Sequence, residues 1–161
     1  QTGNVLEPSC GIGNFMGLVP ESMNDAKFYG VELDNISGRI AQQLYQKNSI
    51  AVQGFENTNL PDSFFDAAIG NVPFGQFHVP DKRYDRLNFP IHEYFIAKAL
   101  DQVRPGGVIA VVTSSYTMDT SRSERNCWGP SACPTMRSRP RQVRRWFQTF
   151  CSSKSGNEWW I

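Results

Sequence analysis

Val108-Ile109-Ala110-Val111-Val112-Thr113 runs through six positions without a charged or strongly polar side chain. A strand half exposed to water would alternate apolar and polar residues, so this one is expected in a parallel sheet covered on both faces. Four shorter stretches of similar character precede it: Val5-Leu6, Ala26 to Asp34, Ser49 to Gly54, and Phe64 to Gly70. Helical patterns lie between them. Asn35 or Ser37 caps a helix in which Ile36, Ile40 and Leu44 recur at spacing four, a stripe expected to face the sheet. Pro90 opens a second helix carrying Ile91, Phe95, Ile96, Leu100 and Val103 on one face, and Pro105-Gly106-Gly107 stops it. Five strands alternating with helices predict an open, doubly wound α/β sheet.

With 161 residues, 40% of them hydrophobic, the chain can build one domain with a substantial core. The net charge of +1 hides an asymmetry. Residues 1–119 carry 8 Lys/Arg against 13 Asp/Glu, whereas residues 120–161 carry 8 against 2. All four Trp and three of the four Cys lie in the second part, so two compositions meet near Asp119. Cys127, Cys133 and Cys151 match no zinc spacing and Cys10 stands alone, which gives a cytosolic, reducing context as the default. His78 and His92 have no Cys or acidic partner at ligand spacing, so no metal is expected. No apolar run reaches membrane-spanning length. The chain lacks an initiator Met and opens almost directly into a strand, as a piece of a longer protein would.

In an open α/β sheet ligands sit beyond the carboxyl ends of the strands, and the chemistry-bearing residues gather there. After the first strand come Glu7-Pro8-Ser9-Cys10-Gly11-Ile12-Gly13-Asn14, in which glycines permit a tight turn and close approach to a ligand. Gly11-x-Gly13 alone is a weak signal, since ordinary strand-to-helix turns look the same. Glu32, 19 residues beyond Gly13 at the tip of the second strand, is placed to accept two ribose hydroxyls; standing alone it would read as a solvated strand end. Phe55 and Glu56 follow the third strand and are candidates for reading an adenine, at even odds with a plain loop. The fourth strand ends in Asn71-Val72-Pro73-Phe74, which offers an amide, a rigid carbonyl and an aromatic face together. Residues 75–89 form a long loop in which Lys82, Arg83 and Tyr84 interleave charge and ring as a nucleic-acid contact would; a solvated loop explains the composition equally well.

These residues resemble the adenine-specific DNA methyltransferases that use S-adenosylmethionine. Leu6-Glu7-Pro8-Ser9-Cys10-Gly11-Ile12-Gly13-Asn14-Phe15 is similar to their cofactor motif, an acid-Pro-x-x-Gly-x-Gly pattern. Asn71-Val72-Pro73-Phe74 is similar to their catalytic Asn-Pro-Pro-Tyr/Phe. The nearest likeness is to methylase modules of large methylase–helicase proteins of phages and mobile elements, and it covers about residues 3–119. The resemblance implies a Rossmann-like class I methyltransferase sheet, here with strands one to five. It implies that Gly11 and Gly13 pass under the methionine part of the cofactor with Glu7 near its amino group. Pro8, Asn14, Leu33, Phe55 and Glu56 complete the cofactor set, with Glu32 on the ribose. Asn71 and the Pro73 carbonyl would accept hydrogen bonds from the target amino group, and Phe74 would stack on a base flipped out of DNA. Val72 departs from the family's usual Pro. Related proteins of this type methylate a protein glutamine amide or RNA by the same geometry, and a non-catalytic binding module of a helicase protein is a third reading. Recognition and helicase regions would lie elsewhere in a longer chain.

Residues 120–161 lose all helix and strand periodicity. A disordered, basic, DNA-binding tail is one reading. The other is a change of reading frame. Codons can be chosen for Thr120 to Glu158 such that reading two nucleotides along yields a globular sequence, in which case the tail has no selected function and the later strands of the fold are missing.

Overall fold

The computed structural model describes residues 3–112. Residues 120–161, for which a tail out of frame is expected, lie outside them. The described chain forms strand β1 (Asn4–Glu7), helix α1 (Asn14–Gly17), β2 (Lys27–Glu32), α2 (Asn35–Leu44), β3 (Ser49–Val52), β4 (Phe65–Asn71), α3 (Ile91–Gln102) and β5 (Val103–Val112). Short 3-10 turns occupy Glu21–Met23, Phe55–Asn57 and Asp85–Leu87. The strands make one sheet in the order β3-β2-β1-β4-β5, every pair parallel. The chain order reverses between β1 and β4, and in open sheets of this kind the ligand crevice lies at such a switch point, outside the carboxyl ends.

Adjacent residues of each strand point to opposite faces, which divides the core in two. Leu6, Val31, Phe65, Ala68 and Ile109 pack with Ile91, Tyr94 and Phe95 of α3. Val5 and Phe28 pack on the other face with Cys10, Met16 and Tyr45, which come from the α1 and α2 side. The α/β expectation holds, with helices on both faces.

Two details differ from expectation. Helix α2 is present, and Asp34 caps it by accepting from the Ser37 amide at 2.8 Å. The residues it buries are Gly38 and Ala41, while Ile36, Ile40 and Leu44 are exposed. The reason is steric. A Cβ on Gly38 would lie 2.9 Å from Cγ2 of Val52, so the helix approaches the sheet on its smallest side chains. Strand β5 also starts earlier than expected, since the chain passes from α3 straight into Val103, and an irregularity between Phe65 and Ala67 absorbs the Pro105-Gly106-Gly107 segment. Among the described residues, β5 is covered on one face only: Ile109 is buried against α3, while Val108 is 57% and Val112 53% exposed.

Candidate active site

The candidate residues follow four strand ends. At the end of β1, Glu7 is buried to 1% and its Oε2 has no hydrogen-bond partner. Burial pushes its carboxyl up to about 8, because a charge there lacks solvation. Pro8 is buried beside it. The turn that follows has Gly11 at φ 55° and Gly13 at φ 87°, both left-handed, where any other residue is strained. A side chain on Gly11 would meet nothing within 4 Å, so the backbone there faces open space. The ring of Tyr45 occupies the place where a side chain on Gly13 would stand, and so closes that glycine from behind. Asn14 is exposed at the start of α1. Cys10, under the same turn, is buried, and burial followed by the charges of Glu7 and Glu32 pushes its thiol up to about 12. It is therefore not a thiolate nucleophile at neutral pH.

Glu32 reaches across from β2. Its Oε2 accepts from the Gly11 amide at 2.7 Å and its Oε1 from the Asp34 amide at 2.8 Å. Each carboxylate oxygen has a second lone-pair direction, so these bonds aim the group while leaving it acceptor capacity. Leu33 next to it is 76% exposed, an apolar face at the crevice rim.

The β3 end divides differently from expectation. Phe55 is 2% exposed, with its ring in the core against Tyr94 and Phe95. It is a packing residue, because the turn Phe55–Asn57 points that ring at α3 rather than at the crevice. Glu56 remains partly exposed, its carboxylate folded back against Gly54 and accepting from the Asn57 side chain at 2.9 Å.

At the end of β4, Asn71 is exposed and Phe74 51% exposed, with Pro73 half-buried between. The Asn71 carbonyl accepts from Ser9 Oγ at 2.7 Å. That bond ties the β4 end to the glycine turn of β1 across the switch point, and Ser9 had no distinguishing signal in the sequence. Val72 is 1% exposed in the core, and its amide donates to the Val112 carbonyl at 3.3 Å. A proline there could not donate, so the valine adds a strand bond where the resembling pattern has a rigid ring. Behind the motif, His92 is buried against the Gly75 backbone; burial lowers its imidazole and the Gly75 contact partly opposes that.

In the loop between β4 and α3 the structure corrects the expectation for Tyr84. Tyr84 is 5% exposed and its hydroxyl donates to Asp101 at 2.8 Å, so its ring is a core element and cannot stack on a base. Arg83 grips Asp62 with two bonds of 2.8 and 2.9 Å and reaches Asp101 at 2.9 Å. Lys82 stays exposed. The exposed rings near the crevice are instead Phe74 and Phe77, the latter 56% exposed. No group of three or more His, Cys, Asp or Glu among the described residues is arranged to hold a metal ion. No described helix is long and apolar enough to cross a membrane.

Taken together, the crevice offers an unpaired buried carboxyl, bare backbone at two glycines, an oriented carboxylate and an exposed Asn-x-Pro-Phe. No family profile matches the chain. It is 33% identical over 128 residues to Defense against restriction protein B of Escherichia phage P1, across 76% of this chain and 6% of that protein. It is 37% identical over 71 residues to the Type II methyltransferase M.CvrRI of Paramecium bursaria Chlorella virus XZ-6E, across 44% of this chain and 18% of that one. The chain thus spans a small part of either relative. A Listeria monocytogenes protein assigned to the class I S-adenosylmethionine-dependent methyltransferases superposes with TM-score 0.65 at 20% identity, over 78% of this chain and 43% of its own. The sheet order, the two helical layers and that superposition give the chain the class I S-adenosylmethionine-dependent methyltransferase fold.

Proposed function

We propose that this chain is the catalytic core of an S-adenosylmethionine-dependent methyltransferase that acts on the exocyclic amino group of adenine in DNA. The observation that carries the reading is the Ser9 Oγ bond to the Asn71 carbonyl, which joins the glycine turn to the Asn-x-Pro-Phe motif at one crevice. The residues fit the cofactor. Glu7 has a buried oxygen without a partner, suited to an ammonium donor, and the open space over Gly11 admits a ligand against the backbone. Glu32, already aimed by two amides, has acceptor capacity for ribose hydroxyls, and Leu33 and Glu56 rim the place for an adenine.

When bound, S-adenosylmethionine supplies an electrophilic methyl group on a sulfonium. The amino group of adenine is a poor nucleophile because its lone pair is delocalised into the ring. Asn71 Oδ1 and the Pro73 carbonyl accept its two protons in hydrogen bonds, which localises the lone pair and aims it. Phe74, half in solvent, stacks on the flipped base. Held in line, the nitrogen would take the methyl as the carbon–sulfur bond breaks and a neutral thioether leaves. The cationic amine so formed is acidic enough to give its extra proton to water, so no strong general base is needed and positioning supplies much of the barrier reduction. The viral methyltransferase likeness supports DNA as the substrate class.

The test is calorimetry of S-adenosylmethionine binding, followed by transfer of a labelled methyl to DNA, RNA and protein. Asn71→Ala is expected to keep cofactor affinity and to lose about 100-fold or more of the transfer rate, the scale of one lost transition-state hydrogen-bonding group. Transfer to protein or RNA alone would reassign the substrate. Binding without transfer to any of the three would make the chain a binding module.

A further inference from the structure

Lys98 lies in the middle of α3 and is only 6% exposed. A lysine so buried is rare without partners, and this one has several. Its Nζ donates to the Phe55 carbonyl at 2.8 Å, to Asp81 Oδ2 at 3.1 Å and to the Tyr94 hydroxyl at 3.2 Å, and it approaches the Glu56 carbonyl at 3.5 Å. The ammonium also stands 4.9 Å from the centre of the Phe55 ring. Its partners come from three places: the turn after β3, the loop after β4, and α3 itself. Asp81 is bound in turn by Tyr94 Oη at 2.8 Å and by the Arg83 amide at 3.1 Å. Burial works to raise the Asp81 carboxyl, but the bonds from Tyr94 and Lys98 outweigh it and hold the group ionised.

We infer that Lys98 is a positioning residue for cofactor affinity: one ammonium locks the Phe55–Glu56 turn, at the place for the adenine, to the loop that follows Asn71–Phe74. The inference rests on the methyltransferase reading above. An apolar pair in place of Lys98 and Asp81 would fill the same space without desolvation, so packing alone does not call for the two charges. Within its own 3-10 turn the Phe55 carbonyl already accepts from the Thr58 amide at 3.2 Å and from Thr58 Oγ1 at 2.7 Å. What the ammonium adds is a charged donor that ties this turn, and Glu56 in it, to Asp81 in the loop after β4.

The test uses Lys98→Met with Asp81→Asn, which removes both charges together, beside Phe65→Leu. Phe65 is fully buried at the amino end of β4 with its ring against Tyr29 and Phe64, and it makes no hydrogen bond to the turn, so its variant serves as a control for loss of stability alone. All are compared below their melting ranges, with folding checked by circular dichroism. The double variant is expected to bind S-adenosylmethionine about tenfold or more weakly, the scale of one lost charge-assisted bond, while Phe65→Leu stays near the unmodified affinity. A folded double variant with unmodified affinity, or an equal loss in Phe65→Leu, overturns the inference. If the double variant does not fold, Lys98→Arg decides: it keeps the charge but moves the donor, so weaker binding supports the inference and unchanged binding overturns it. Absence of binding to the unmodified chain would instead sink the methyltransferase reading itself.

Discussion

The two halves of the crevice are built in opposite ways. On the β1 and β2 side the groups are left open: Glu7 has an oxygen without a partner, Gly11 faces empty space and Leu33 stands in solvent. On the β4 side the loop is densely paired, with Lys98, Asp81, Tyr94, Arg83, Asp62, Asp101 and Tyr84 bound to one another. Buried polar groups cost free energy unless paired, so an unpaired one is informative. The closed side also keeps unpaired buried atoms, on His92, Asp101 and Gln102, so what sets the open side apart is Glu7 together with the free space over Gly11. On the proposed reading the open side receives the cofactor and the closed side holds Asn71 to Phe74 against it. A site that joins two reactants needs both: receptive groups for one and a rigid frame for the other.

Breaking the closed side should cost most. Lys98→Met alone leaves Asp81 as a buried charge without its ion partner, and about 3–5 kcal/mol of unfolding free energy should be lost, read from the urea midpoint. A loss as small as that of an exposed pair would mean that water reaches Asp81 and that the loop is not closed.

Gly13→Ala strikes the open side through its backbone. The left-handed φ and the Tyr45 ring together should cost about 2 kcal/mol and weaken cofactor binding. If stability falls while affinity holds, the glycine turn serves the fold and not the ligand.

Glu7→Gln separates the two requirements within one residue. The folded carboxyl, at about 8, lies above its ordinary value of 4.5, so the native state holds a proton that the unfolded state has released. The stability this provides is complete below about pH 4.5 and is lost as pH rises through 8. Glu7→Gln should therefore flatten that slope and stabilise the chain at pH 8 by about 1–3 kcal/mol, on a scale where a tenfold change in proton affinity corresponds to about 1.4 kcal/mol. Cofactor affinity should fall at the same time, and calorimetry beside thermal melts reads both. A variant that gains stability and keeps affinity would remove Glu7 from the binding site.

The smallest effect is expected at Tyr84. Tyr84→Phe deletes one buried hydrogen bond to Asp101, about 1–2 kcal/mol, and should leave DNA affinity unchanged at every salt concentration. Weakened DNA binding would return the ring to the surface role that its neighbours suggest.

These residues also mark how far the sequence could be read. The glycine turn, Glu32 and Asn71 to Phe74 lie at strand ends as expected, because strand ends follow from local apolar runs. Tyr84 misled because interleaved basic and aromatic residues have the same composition whether the ring faces solvent or the core. The difference is made by Asp101, 17 residues away, to which the Tyr84 hydroxyl donates. Phe55 misled in the same way: its place after β3 was right, but its ring turned inward.

Local pattern by itself thus determined the parallel α/β sheet, the order of its elements and the crevice where the motifs meet, since each follows from periodicity and turn chemistry over a few residues. Tertiary structure alone decided which faces are covered. Ile36, Ile40 and Leu44 make the apolar stripe of α2, yet Gly38 and Ala41 dock, because close approach to Val52 is a contact between separate elements. It also decided that Lys98, one more polar residue in a helix by sequence, holds two loops together. Burial and pairing are properties of what surrounds a residue in space, and no neighbour in the chain records them.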